Sequence, residues 1–497
     1  MTTIPLALRD AARRFGDEPA IGATLSFAGL DAEADAWAAG LIAAGVEPGD
    51  RVALWARNSP EWVVASFAIY RAGGILVPIN TRYKAAEAEH ILRTSRARLL
   101  IVDDDVAVVT GFDTIRLADW SSLVERGTTV ARTEVVAREA AIGPDDTSDI
   151  IFTSGTTGAP KGAMLGHGAS VRTYEAWSEL VGLRRGDRYL VVYPFFHTAG
   201  LKSGILACIL TGAAVHPHAV FDVPAVMRRV AEERITMLPG PPTVFQSILN
   251  HPDLATFDLS SLRLSVTGAA VVPVDIVRRM REDLRLENVV TGYGLTETTG
   301  TVSMCRHDDP PEVIATTVGR PLPGVELRVV DDAGNDLPAG HAGELLVRGF
   351  NVMQGYFDDP GATAEALDPD GWLRTGDVAL IGTDGNLRIT DRKKDMYIVG
   401  GFNAYPAEIE NMMAAHPAVA QVAVVGIPNE RMGELGVAFV VPRSGVTAVP
   451  EEIIGWCRER MANFKVPSRV EIVDELPLTP SGKVMKFLLR EAAHATR

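Results

Sequence analysis

Short β-branched runs alternate with longer amphipathic stretches over roughly the first 300 residues. Residues 51–55 read as a buried strand, 60–71 as a helix and 74–78 as the next strand. Residues 149–153 and 189–193 repeat the strand pattern, and a helix over 223–233 precedes a strand over 235–238. Strand–helix–strand repetition predicts parallel sheets covered by helices. Near Pro321 the texture changes. Residues 325–330, 343–348, 378–381 and 386–389 are short alternating runs. The turn signals Asp332-Ala333-Gly334-Asn335 and Thr383-Asp384-Gly385-Asn386 separate them, which predicts an antiparallel, barrel-like subregion. After Asp391 and the basic Arg392-Lys393-Lys394, the chain reads as a small α+β domain. Its helices are predicted over 406–414 and 451–460, its strands over 419–425 and 437–441.

Composition narrows the class. A chain of 497 residues exceeds the roughly 100–200 residues of one domain. With 47% hydrophobic and 22% charged residues, it is neither a disordered chain, a collagen nor a disulfide scaffold. Its 48 basic and 63 acidic side chains leave a net charge of −15, so nucleic acid and anionic membrane surfaces are not expected partners. The three cysteines, Cys208, Cys305 and Cys457, are too scattered for a disulfide framework or a zinc site, and a cytoplasmic location is expected. Residues 1–16, with Arg9, Asp10, Arg13 and Arg14, do not read as a secretory signal. No stretch approaches the roughly 20 apolar residues of a membrane span, so no integral membrane association is expected. Oligomeric state leaves no signature, and a homodimer is carried as the open expectation.

Chemistry concentrates in Thr153-Ser154-Gly155-Thr156-Thr157-Gly158-Ala159-Pro160-Lys161-Gly162, directly after an apolar strand. Glycines let the backbone turn its N–H groups inward, the hydroxyls add donors, and Lys161 adds a positive charge. Such a loop suits a polyphosphate, although its spacing is not that of a Walker loop.

This loop resembles the phosphate loop of the adenylate-forming superfamily, which includes acyl-CoA synthetases. Further signatures follow in the family's order: Tyr293-Gly294-Leu295-Thr296-Glu297, Trp372-Leu373-Arg374-Thr375-Gly376-Asp377, Asp391-Arg392-Lys393-Lys394-Asp395 and Pro480-Ser481-Gly482-Lys483. The resemblance runs from about Phe15 to Lys486. It implies an α/β fold with a large N-terminal adenylation domain over 1–393. That domain would hold two parallel-type sheets and the antiparallel subregion. A small, mobile α+β lid over 394–497 would hinge at Lys394.

The implied reaction joins a carboxylic acid to the α-phosphate of ATP and passes the acyl group to CoA, with Mg²⁺ as cofactor. Two anions must meet, so the site has to neutralise charge and hold the pair in line. Glu297 is the expected Mg²⁺ ligand, an oxygen donor for a hard cation. Thr296 is expected to donate to the α-phosphate, and Tyr293 with Gly294 to lie against adenine opposite Gly268-Ala269-Ala270. Asp377 and Arg392 correspond to ribose contacts. Lys483 corresponds to the cation shared by α-phosphate and carboxylate during adenylation. Gly400-Gly401 would line the passage for the CoA thiol. Phe402 departs from the pattern there, since many relatives carry Glu.

His197, in Pro194-Phe195-Phe196-His197, resembles the family's gate between acyl pocket and thiol passage. Phe196, His197, Lys202, Pro241, Gly268 and Gly292 are the expected acyl-pocket positions. Glycine at 268 and 292 predicts width, and Pro239-Gly240-Pro241-Pro242 predicts stiff walls. Residues 194–197, 216–222, 238–243 and 396–410 are similar to actinobacterial ligases that activate steroid-ring remnants. A bulky alicyclic carboxylate is therefore expected, with medium-chain or aryl acids as the alternative. Four readings stay open at this point: the CoA ligase, an adenylate-forming amide synthetase, a luciferase-like oxygenase and a non-catalytic binding protein. Retention of Lys161, Glu297, Asp377, Arg392 and Lys483 disfavours the last.

Overall fold

The structure, a computed structural model, describes residues 2–104, 109–153, 160–268, 272–392, 395–399, 402–429, 432–461, 463–478 and 484–495. The continuous apolar runs become interior strands of two helix-covered sheets, where a strand buried on both faces has no polar side to show. In the seven-stranded sheet, Arg51–Trp55 pairs in parallel with Ile75–Pro78 and Leu99–Val102, and Thr147–Thr153 joins Ile75–Pro78 in the same sense. Beyond Thr147–Thr153 the sheet turns antiparallel through Lys161–Gly166 and Gly355–Tyr356. The predicted helix Pro60–Arg71 is present. Ser59 caps it by accepting from the Trp62 N–H at 3.1 Å, and Pro60 occupies the first turn, where no N–H is needed.

The second sheet runs from Ala214–Pro217 and Arg188–Val191 to Leu264–Thr267 and Asn288–Tyr293. Met237 bridges its halves, pairing with Tyr189 and Leu264. The strand predicted over 235–238 shrinks to this single bridge. Pro239, Pro241 and Pro242 follow it and have no N–H to extend a ladder. The strand predicted over 189–193 ends at Val191, which frees Tyr193 to His197 to leave the sheet. The antiparallel subregion is a four-stranded sheet of Val325–Val330, Gly343–Gly349, Leu373–Ile381 and Leu387–Arg392.

After residue 395 the chain builds a five-stranded sheet from Tyr397–Val399, Phe402–Ala404, Val419–Asn429, Gly433–Pro442 and Arg469–Ile472. Helices Pro406–Ala414 and Pro450–Arg458 accompany it. Its apolar cluster around Ile409, Met413, Val440 and Ile453 is separate from the main core. Among the described residues no helix is long and apolar enough to cross a membrane. All three cysteines are buried and unlinked.

Candidate active site

Thr153 and Lys161 sit opposite each other where the two antiparallel strands end, so the glycine-rich segment connects directly paired residues. Ser154, Gly155, Thr156, Thr157 and Gly158 lie outside the described residues. From the strand end, Thr153 Oγ1 donates to Oε1 of Glu297 at 3.2 Å. Tyr356, on the neighbouring strand, donates its hydroxyl to the same oxygen at 3.0 Å. The Lys161 ammonium lies 5.4 Å from the centre of the Tyr356 ring, within cation–π range. Burial and the adjoining Glu297 carboxylate push Tyr356 ionisation well above the ordinary tyrosine range, so its hydroxyl stays a donor.

Glu297 belongs to the tight turn Thr296–Thr298, which follows the strand Asn288–Tyr293. The Thr298 hydroxyl accepts from Leu295 N–H at 2.9 Å, and Tyr174 donates to Thr299 O at 3.1 Å. A Cβ at Gly294 would sit 2.2 Å from Gly300 O, so only glycine lets the turn close this tightly. Met353 N–H donates to Glu297 O at 2.8 Å, fixing the carboxylate's own backbone. Thr296 stands half-buried at the head of the turn.

Across the same strand end, the Tyr293 hydroxyl donates to Oδ2 of Asp377, which is buried. Asp377 N–H donates to Thr375 Oγ1 at 3.1 Å, and Thr375 donates to Leu345 O at 2.8 Å. Arg392 is the register partner of Asp377, though its side chain lies outside the described part of the chain. Gly268 ends the strand beside Asn288–Tyr293, where a Cβ would come 3.1 Å from Thr291 Oγ1. Ala269, Ala270, Lys394, Gly400, Gly401 and Lys483 lie outside the described residues. Val399 and Phe402 pair on either side of the two glycines.

The segment 194–197, expected as the gate, is held by backbone contacts. Asn58 donates to Val191 O at 3.3 Å, Tyr193 O at 2.9 Å and His218 O at 3.2 Å, and it accepts from Phe195 N–H at 2.8 Å. His197 N–H donates to Pro194 O at 3.1 Å, and the Phe196 and His197 rings are 4.6 Å apart. A Cβ at Gly200 would sit 2.2 Å from Pro194 O, so the following π-helix Ala199–Leu206 folds flush against that segment.

Two expectations are corrected here. Lys202 does not line the acyl pocket. It points into the core, fully buried, and pairs with Asp149. The π-helix turns it inward, and burial pulls its ionisation below the ordinary lysine range. Gly292 does not supply width either. A Cβ there would meet Ser303 O at 2.9 Å and Met304 Cγ at 3.1 Å, so its small size serves strand pairing. Sequence reasoning missed Tyr356 and Asn58. A lone Gly-Tyr and an Asn before a helix cap carry no local sign of what they reach in space.

The model of the "AMP-binding enzyme" family matches residues 8–357, and that of the "AMP-binding enzyme C-terminal domain" matches residues 408–483. The chain belongs to the AMP-binding enzyme family. A Rhodococcus jostii (strain RHA1) member named 3-[(3aS,4S,7aS)-7a-methyl-1,5-dioxo-octahydro-1H-inden-4-yl]propanoyl:CoA ligase is 48% identical, over 99% of this chain and 98% of that one. A Mycobacterium tuberculosis (strain ATCC 25618 / H37Rv) protein of the same name is 46% identical over 99% of both chains. The solved anthranilate CoA ligase AuaEII in complex with anthranoyl-AMP superposes with a TM-score of 0.90 at 28% identity, covering 100% of this chain and 98% of that one. This AMP-binding enzyme is an AMP-forming acyl-CoA synthetase, using ATP, CoA and a small-molecule carboxylic acid.

Proposed function

We propose that this AMP-binding enzyme activates a bulky, ring-bearing propanoate as its acyl-adenylate and transfers it to CoA. The observation that supports the site assignment best is the convergence of the Thr153 and Tyr356 hydroxyls on one oxygen of Glu297. In adenylation, a carboxylate oxygen of the acid attacks the α-phosphorus of ATP, the bond to the leaving oxygen breaks, and pyrophosphate departs with the electron pair. Residues Ser154 to Gly158 and Lys161 cradle the phosphates, with the Tyr356 ring steadying the Lys161 ammonium. Tyr293 and Gly294 on one side, and Gly268, Ala269 and Ala270 on the other, hold adenine. Asp377 and Arg392 take the ribose hydroxyls. Thr296 donates to the α-phosphate, and Lys483 screens the repulsion between phosphate and carboxylate.

The donor set at Glu297 suits Mg²⁺. Both hydroxyls use Oε1, and Oε2 accepts no hydrogen bond among the described residues. Glu297 would hold the ion, which when bound supplies charge neutralisation at the phosphates. For the second half-reaction the 394–497 lid turns about Lys394 relative to 1–393. The CoA sulfur then enters past Gly400-Gly401 and His197, attacks the acyl carbonyl carbon, and AMP leaves. One chain can serve two steps through such a rigid-body switch.

The names of the two relatives at 48% and 46% identity support the ring-bearing acid, as does the stiff Pro239-Gly240-Pro241-Pro242 wall. The three buried, unlinked cysteines are compatible with a cytoplasmic location. The test compares kcat/KM for a bicyclic propanoate, octanoate and benzoate with ATP and CoA. The bicyclic acid should lead by tenfold or more. A tenfold preference for octanoate, about 1.4 kcal/mol in transition-state binding, would overturn the ring-bearing assignment. Amide product from simple amines, with no thioester from CoA, would overturn the acceptor.

A further inference from the structure

Strand Thr147–Thr153 and the π-helix Ala199–Leu206 meet at an ion pair deep in the larger domain. The side chains of Lys202 and Asp149 are 1% and 0% exposed. Lys202 Nζ donates to Oδ2 of Asp149, as does the Ser148 hydroxyl, while Tyr70 donates to Oδ1 at 2.5 Å. Taking two charges out of water is expensive, and apolar side chains of similar volume commonly do as well or better for stability. Stability alone gives no reason for the pair.

Its position does. Asp149 lies four residues before Thr153, on the strand whose end touches Glu297. Lys202 lies five residues after His197, and Leu201 N–H donates to His197 O at 2.9 Å, so a single helical turn joins them. The upstream end of the gate is tied by Asn58, and Gly200 packs against Pro194 O. The downstream end runs directly into the π-helix Ala199–Leu206, a geometry that is rare and concentrated at functional sites. We infer that the Lys202–Asp149 pair is a positioning device that sets the spacing between the phosphate-loop strand and the His197 gate, and so places the acid's carboxylate against the α-phosphate. The inference rests on the proposed placement of the acyl group beside His197.

The double variant Asp149→Leu/Lys202→Met replaces the pair with apolar volume. Its unfolding midpoint should match or exceed that of the parent. In pyrophosphate exchange its kcat/KM for the acid should fall tenfold or more, with KM for ATP within twofold. Parent-like acid kinetics in the folded double variant would overturn the inference, as would equal losses toward acid and ATP. Tyr70→Phe keeps the ring and removes one bond to Asp149. It should lower acid kcat/KM by two- to fivefold without moving KM for ATP, and it decides the matter if the double variant does not fold. No change in Tyr70→Phe acid kinetics would then overturn the inference. His197→Ala separates the two layers. Altered acid KM in His197→Ala with parent-like double-variant kinetics defeats the ion-pair inference alone. Unaltered acid KM in His197→Ala defeats the gate placement and the inference with it.

Discussion

The hydroxyl of Tyr293 donates to Oδ2 of Asp377, tying the strand that leads to Glu297 to the antiparallel sheet. A hydrogen bond to a buried carboxylate is worth about 1.5–3 kcal/mol. Tyr293→Phe keeps the ring and loses that bond, leaving Asp377 less firmly aimed. KM for ATP should rise about tenfold, equivalent to about 1.4 kcal/mol, while KM for the acid stays put. Steady-state pyrophosphate exchange reads both. A shift confined to the acid would contradict the ribose assignment of Asp377.

Tyr356 is tested in the same way. Tyr356→Phe keeps a ring beneath Lys161 but removes the donor to Glu297. The expected result is a fall in adenylation kcat of about tenfold or more, with a higher Mg²⁺ requirement, because the carboxylate loses one of its two fixing bonds. An unchanged Mg²⁺ titration would count against Glu297 as the metal's ligand.

Lys483 and Gly401 should separate the half-reactions. Lys483→Ala should cost adenylation on the order of 3–4 kcal/mol, roughly a factor of several hundred, yet spare thioester formation from supplied acyl-adenylate. Gly401→Leu should do the opposite by filling the proposed thiol passage. Parallel loss of both half-reactions in either variant would sink the domain-alternation reading.

Acid should weaken the fold at His167. This side chain begins the helix His167–Val181, lies beside Tyr70 with ring centres 5.5 Å apart, and is buried. Burial pushes its pKa down from 6.5 to about 4. The unfolded chain therefore binds a proton more readily between those values. Its stabilising effect is complete above pH 6.5 and is lost as pH falls toward 4, by about 3 kcal/mol in all. Burial displaces His216 and His218 in the same direction. His167→Gln should flatten, without abolishing, the dependence of denaturant midpoint on pH across this window. An unchanged slope would remove His167 from the account.

The sequence reveals elements more readily than contacts. The helix Pro60–Arg71 and the strands Arg51–Trp55 and Val325–Val330 have the predicted bounds, because capping residues and apolar periodicity are local signals. The order of the glycine-rich and acidic motifs likewise carries the family resemblance, and it is the resemblance that implies the nucleotide chemistry before any fold is known. What escapes is whatever depends on a partner distant in the chain. Lys202 reads as a pocket cation until Asp149, 53 positions away, is found beside it in the core. Gly292 reads as open space until Ser303 O is found against it. Tyr356 has meaning only through Glu297, 59 positions before it.

The pairing of Thr153 with Lys161 also bears on how this enzyme can vary over generations. Slipping a strand by one residue would carry Lys161 to the opposite face of the sheet. The strand Lys161–Gly166 cannot slip to absorb an insertion, since Gly355↔Met164 and Tyr356↔Ala163 hold its far edge in register while Thr147–Thr153 holds the near one. A codon gained or lost between 153 and 161 must be accommodated wholly within the connection, or the lysine leaves the face on which it meets Tyr356.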